Sequence, residues 1–131
     1  MDPNVWVSGL INPYGTPARV VEAVMGRHVQ VVVTEHLLEE LATVLARPKF
    51  RRWIALADAV AFTDALGAEV DVHPDPGAAQ QRVRDPDDDY LVALSETATA
   101  VIVTGDADLL EAGLTPPAMT PRELLDQLGW A

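Results

Sequence analysis

The 131-residue sequence predicts an α/β fold, a three-layer α/β/α sandwich built on a central parallel sheet. Two apolar, β-branched runs carry the strand signal: Val29-Gln30-Val31-Val32-Val33 and Ala100-Val101-Ile102-Val103-Thr104. Strands that are apolar at nearly every position belong to a sheet covered on both faces. Segments with helical apolar spacing lie between and beside these runs. That alternation implies βαβ units and hence parallel strands.

The elements follow in order. Thr16-Pro17 starts a helix, with Thr16 as cap and Pro17 at the first helical position, and Val20, Val21 and Val24 line one face before Gly26 stops it. The strand 29–33 comes next. Thr34 then caps a long amphipathic helix carrying Leu37, Leu38, Leu41, Val44 and Leu45, which ends before Pro48. A further helix is predicted over 53–66 with Gly67 as its stop, and Glu69-Val70-Asp71-Val72 alternates as a short strand. His73 to Gly77 reads as a loop, and 90–98 as a helix. The strand 100–104 leads through a turn at 105–108 into a short helix opened by Leu109-Leu110. Met119 lies in a last short strand, and Thr120-Pro121-Arg122-Glu123 caps a terminal helix.

Composition narrows the function classes. The length fits one domain spanning 1–131. With no cysteine, disulfide scaffolds, thiolate zinc sites and cysteine nucleophiles are excluded. No apolar run approaches the about 18 residues of a membrane span and no signal peptide opens the chain, so a cytoplasmic protein with no membrane partner is expected. A net charge of −11 argues against a general nucleic-acid coat, whereas the hydrophobic fraction of 49% argues for a folded core.

In parallel α/β sheets functional groups collect beyond the carboxyl ends of the strands. Aspartates cluster at such places here. Asp106 directly follows the strand 100–104, and Asp85, Asp87, Asp88 and Asp89 stand at a helix start. Asp2 lies in Met1-Asp2-Pro3-Asn4, and Glu40 lies between the apolar positions Leu37, Leu41 and Val44. Glu39 and Glu40 point about 100° apart on a helix, so only one leans inward, and Glu40 is the better placed. Carboxylates converging on one edge repel unless a counter-charge sits among them. Mg²⁺ or Mn²⁺ supplies it through oxygen ligands, and such an ion activates water and stabilises charge on phosphoryl oxygens. Phosphodiester hydrolysis is the chemistry this favours. Taken one at a time, each acid also reads as a helix cap, a turn residue or a solvated side chain.

The set and its order resemble the PIN-domain family: Asp2-Pro3-Asn4-Val5, Glu39-Glu40-Leu41 followed by Ala46-Arg47-Pro48-Lys49-Phe50, Arg84 to Leu91, Val103 to Leu110, and the Thr120 to Leu125 ending. The nearer likeness is to small bacterial PIN proteins of the VapC-like kind, described as toxins of toxin–antitoxin pairs. The resemblance covers essentially the whole chain. It implies a Mg²⁺- or Mn²⁺-dependent ribonuclease acting on single-stranded RNA, restrained by a cognate antitoxin and working as a homodimer. Its acidic site maps to Asp2, Glu40, Asp88 and Asp106. Asp108 is an additional acidic member, Asp89 is the one-residue alternative to Asp88, and Asn4 and Thr104 support the site by hydrogen bonding. Relatives carry an apolar strand before the first Asp, where here only Met1 stands. The sheet is therefore expected to show its first strand truncated, leaving Val33 and Val103 beside an open gap. An inactive PIN-like RNA- or protein-binding module is the alternative function.

Four of the nine basic residues, Arg47, Lys49, Arg51 and Arg52, fall within six positions, interleaved with Phe50 and next to Trp53. Cations contact phosphates and aromatic faces stack bases, so this segment is the candidate RNA contact. Arg82 and Arg84 are further cations placed to meet phosphate or Asp87. His28, His36 and His73 show no mutual ligand spacing and read as surface or packing residues. A phosphoacceptor receiver domain is disfavoured because the one lysine, Lys49, lies on the wrong segment for that chemistry.

Overall fold

The chain opens as a helix rather than as a loop. In the computed structural model, which describes residues 1–74 and 86–130, α1 spans Pro3–Ile11. Asp2 caps it and Pro3 occupies its first turn, where a missing N–H costs nothing. α2 follows at Thr16–Met25 with Gly15, not Thr16, at the cap position, and Gly26 ends it. The two helices pack closely at Gly9, where a Cβ would stand 2.7 Å from Val21 Cγ2 and 2.9 Å from the Pro17 carbonyl oxygen. Only glycine allows that approach.

β1 is Val32–Thr34 and α3 is Glu35–Leu45. Thr34 caps α3 by accepting from the Leu37 N–H at 3.1 Å. A 3₁₀ turn over Pro48–Arg52 leads to α4, Leu56–Glu69. That helix begins three residues later than expected and runs through Gly67, whose missing Cβ would meet only Leu38 Cδ1 at 3.5 Å. A glycine inside a helix costs about 1 kcal/mol, which tertiary packing readily outweighs. β2 is Asp71–His73, and α5 is Pro86–Ala98, so the aspartate run forms its first turn. α6 is Ala107–Leu110 and α7 is Pro121–Leu128. Thr120 caps α7 as expected, its hydroxyl accepting from the Glu123 N–H and donating to Glu123 Oε1, and Gly129 closes α7 with φ 75°, passing the Trp130 N–H to the Leu125 carbonyl at 2.9 Å.

The fold is α/β, mostly helical with a small parallel sheet. β1 and β2 pair in parallel, Val33 opposite Val72. The run 100–104 does not form a full strand. It pairs in parallel with Met119 through a single bridge at Val103, where Met119 N–H donates to the Ile102 carbonyl and Thr104 N–H to the Met119 carbonyl, both at 2.9 Å. The run 29–33 is likewise shorter than its composition suggests, with only 32–34 laddered. Strand propensity describes a residue that suits a pleated surface, and a ladder still needs a partner. The open gap expected beside Val33 is not there, because Val33 is wholly buried and opposite Val72. A groove of about 490 Å³ separates 29–32 from 100–103, lined by Met1, Val29, Val31, Val101 and Val103 among others.

Three apolar clusters hold the layers together. Trp6, Val7, Val21, Val24, Leu41, Leu45, Phe50, Ala59 and Leu66 join α1, α2, α3 and α4. Val33, Leu37, Leu91, Val92, Ile102, Leu109 and Leu114 join the sheet to α5 and α6. Val20, Val103, Leu124 and Leu125 dock α7.

Candidate active site

Two threonines end the two extended segments and both are wholly buried: Thr34 as the last residue of β1 and Thr104 after Val103. A buried hydroxyl must find partners, and those of Thr104 define the site. Its Oγ1 donates to Asp2 Oδ2 at 2.7 Å and accepts from the Asp106 N–H at 3.0 Å. Asp2, only 4% exposed, is held further by its own N–H donating to the Val103 carbonyl at 3.0 Å. The Asn4 N–H donates to Asp2 Oδ1 at 2.9 Å. Asp106 caps α6 by accepting from the Asp108 N–H on Oδ1 at 2.9 Å. One hydroxyl thus links the Asp2 carboxylate to the backbone of Asp106 beyond the end of an extended segment. Burial pushes the neighbouring Met1 amino group down to about 6, against the upward pull of the Asp2 carboxylate.

The remaining sequence-derived positions fall as follows. Asp89 is buried in the first turns of α5, 5% exposed, whereas Asp88 lies on α5 with its side chain outside the described residues. Glu40 is half-buried on α3, and Asp108 is exposed in the first turn of α6. Asn4 supports Asp2 through its backbone rather than its exposed side chain. Arg82, Arg84 and Asp85 lie outside the described residues, as does the side chain of Asp87. Sequence reading did not single out Tyr90, which meets Thr34 through its hydroxyl and the His36 ring at 4.5 Å. Its position directly after Asp89 was the available signal.

Among the described residues no three Asp, Glu or His side chains stand close enough to hold a metal ion. Asp2 and Asp106 nevertheless fit a hard cation as a pair. Among the described residues neither carries an ion pair with a Lys, Arg or His side chain, and Asp106 Oδ2 accepts no hydrogen bond. Mg²⁺ characteristically takes one or two carboxylates and keeps several waters.

The basic segment divides by use. Arg51 sends its guanidinium to the Leu45 carbonyl, closing the C-terminal end of α3. Arg47, Lys49 and Arg52 are exposed. Phe50 is buried with Lys49 Nζ 5.1 Å from its ring centre, and the half-exposed Trp53 lies under the Arg52 guanidinium at 5.0 Å. Of the other aromatics, Trp6 is buried against Phe62, and Trp130 packs on His28 at 5.0 Å.

A model of the PIN domain matches residues 1–108. The chain belongs to the PIN-domain family. It is similar over 110 residues to an uncharacterized protein of Methanocaldococcus jannaschii, 26% identical, covering 84% of this chain and 71% of that one. No solved structure gives a significant match. PIN domains are generally nucleases and typically use divalent metals. Among the described residues no helix is long and apolar enough to cross a membrane.

Proposed function

We propose that this PIN domain, acting as a single unit over 1–131, is a metal-dependent endoribonuclease that hydrolyses single-stranded RNA. One observation supports the reading: the Thr104 hydroxyl bonds both the Asp2 carboxylate and the Asp106 backbone N–H, and each of the two carboxylates is fixed by buried or local hydrogen bonds. Mg²⁺ or Mn²⁺ bound there would supply a water acidic enough to act as nucleophile and a positive charge for the phosphoryl oxygens. Asp2 and Asp106 would hold the ion. Thr104 keeps the Asp2 carboxylate in one orientation, so that little has to reorganise when the ion binds. The family likeness adds Glu40 on α3 and Asp89 on α5 as further acids, with Asp88 the neighbouring candidate. Asp108 adds negative charge at the rim. Arg47, Lys49 and Arg52 offer phosphate contacts beyond the C-terminal end of α3.

The likeness to VapC-like PIN proteins supports a cytoplasmic toxin that is held by a cognate antitoxin and works as a homodimer. The test begins with a calorimetric Mn²⁺ titration. Single-stranded RNA cleavage by the wild type and by Asp106→Asn is then compared. Metal-dependent cleavage lost in the variant is the expected result. Metal binding without cleavage would instead favour an inactive RNA- or protein-binding module.

A further inference from the structure

We propose that His36 and Tyr90, carried on the same helices as Glu40 and Asp89, form a stacking platform for a nucleobase of a single-stranded substrate. The inference rests on the nuclease reading and adds to it what the site recognises in its substrate: a base face rather than the sugar-phosphate backbone alone.

The two rings lie 4.5 Å apart between centres, tilted by 48°. Their exposures differ in a way that core packing does not require. Tyr90 is half-buried, while His36 is exposed. The pair is anchored from beneath. The Tyr90 hydroxyl is bonded to the Thr34 hydroxyl, and Thr34 is wholly buried and caps α3 through Leu37 N–H at 3.1 Å. One threonine thus ties the tyrosine to the same helix start that carries the histidine. A platform held in this way gives up little freedom when a base settles on it.

Its position relative to the acids is set by the fold. Tyr90 directly follows the buried Asp89 on α5. His36 precedes Glu40 by four residues on α3, and residues so spaced are neighbours on one helix face. Thr34 ends β1 as Thr104 ends the run 100–104. Stacking on an aromatic face tolerates any base and requires one to be unpaired, so single strands are the class selected.

The test compares binding of two single-stranded oligomers of about ten nucleotides, oligouridylate and an abasic ribose-phosphate chain of equal length, by fluorescence anisotropy in metal-free buffer. The wild type is expected to bind oligouridylate about tenfold more tightly than the abasic chain. His36→Ala should bring the two oligomers to similar affinity, and His36→Phe should restore the difference. Tyr90→Phe, which keeps the ring and removes its anchor, should reduce the difference part of the way. A base preference that survives His36→Ala overturns the platform. So does a wild type that binds neither oligomer or binds both alike. Hydrolysis with Mn²⁺ is read separately. Base preference without hydrolysis of single-stranded RNA would sink the nuclease reading and leave the platform standing. Hydrolysis without base preference would do the reverse.

Discussion

The carboxylate cluster and the basic corner are built on opposite plans. Asp2, Thr104 and Asp106 come from both ends of the chain, with the Thr104–Asp2 bond spanning 102 positions, and Thr104 and Asp2 are buried. Arg47, Lys49, Arg52 and Trp53 fall in one short stretch of chain and are exposed. The first depends on tertiary structure for its existence, and the second would be basic in any conformation. Buried polar groups act in a low dielectric, where an unmet hydrogen bond or a bound ion matters greatly, while surface charges are screened. On the proposed reading chemistry belongs to the first region, and attraction of substrate to the second.

Breaking the cluster should have the largest effect. Asp106→Asn should lower metal-dependent RNA hydrolysis by more than about 100-fold, beyond the usual cost of losing a group that only supports a ligand. Circular dichroism should show the fold retained. Thr104→Val leaves Asp2 Oδ2 without its donor, and should cost about 1–3 kcal/mol in denaturant unfolding together with an about 10–100-fold loss of Mn²⁺ affinity. Thr104→Ser, which keeps the hydroxyl, should recover most of both. Equal behaviour of the Val and Ser variants would show that the hydroxyl does not position Asp2.

A third change acts on the groove beside the cluster. A short apolar extension upstream of Met1 would run between 29–32 and 100–103, burying Val31 and Val101. It should raise Tm by about 5 °C or more and strengthen Mn²⁺ binding, whereas a polar extension of equal length should do neither. The basic corner should respond least. Replacing Arg47, Lys49 and Arg52 together by Ala should shift stability by about 0.5 kcal/mol or less per site. The salt dependence of single-stranded RNA binding should flatten by about 2 in the log–log slope. An unchanged slope would remove these residues from the RNA path and leave the carboxylates as the whole of the contact.

Local chemistry was legible wherever a short-range rule decides the outcome. Thr34 caps α3, Thr120 caps α7, and Gly26 ends α2, each as the adjacent residues indicate. The helix at Pro3–Ile11 was not read, although Asp2-Pro3 carries a helix-start signal, because its largely apolar composition hides an amphipathic pattern. Gly67 misled because a glycine stops a helix only where the next turn has nothing to pack on, and α4 packs on α3 there. The strands were overestimated for the complementary reason: Val29, Val31 and Val101 have the right side chains but, among the described residues, no neighbouring strand to ladder with.

The sequence by itself determined the α/β class, most of the caps, the family likeness and the basic corner, because those depend on residues within a few positions of one another. Tertiary structure alone decided that Thr104 serves both Asp2 and Asp106, that Arg51 closes α3, and that Asn4 acts through its backbone. It alone brought Tyr90 onto Thr34 and His36. Each of these contacts is set by the direction of a side chain after packing, and burial then makes every buried hydroxyl and carboxylate find a specific partner.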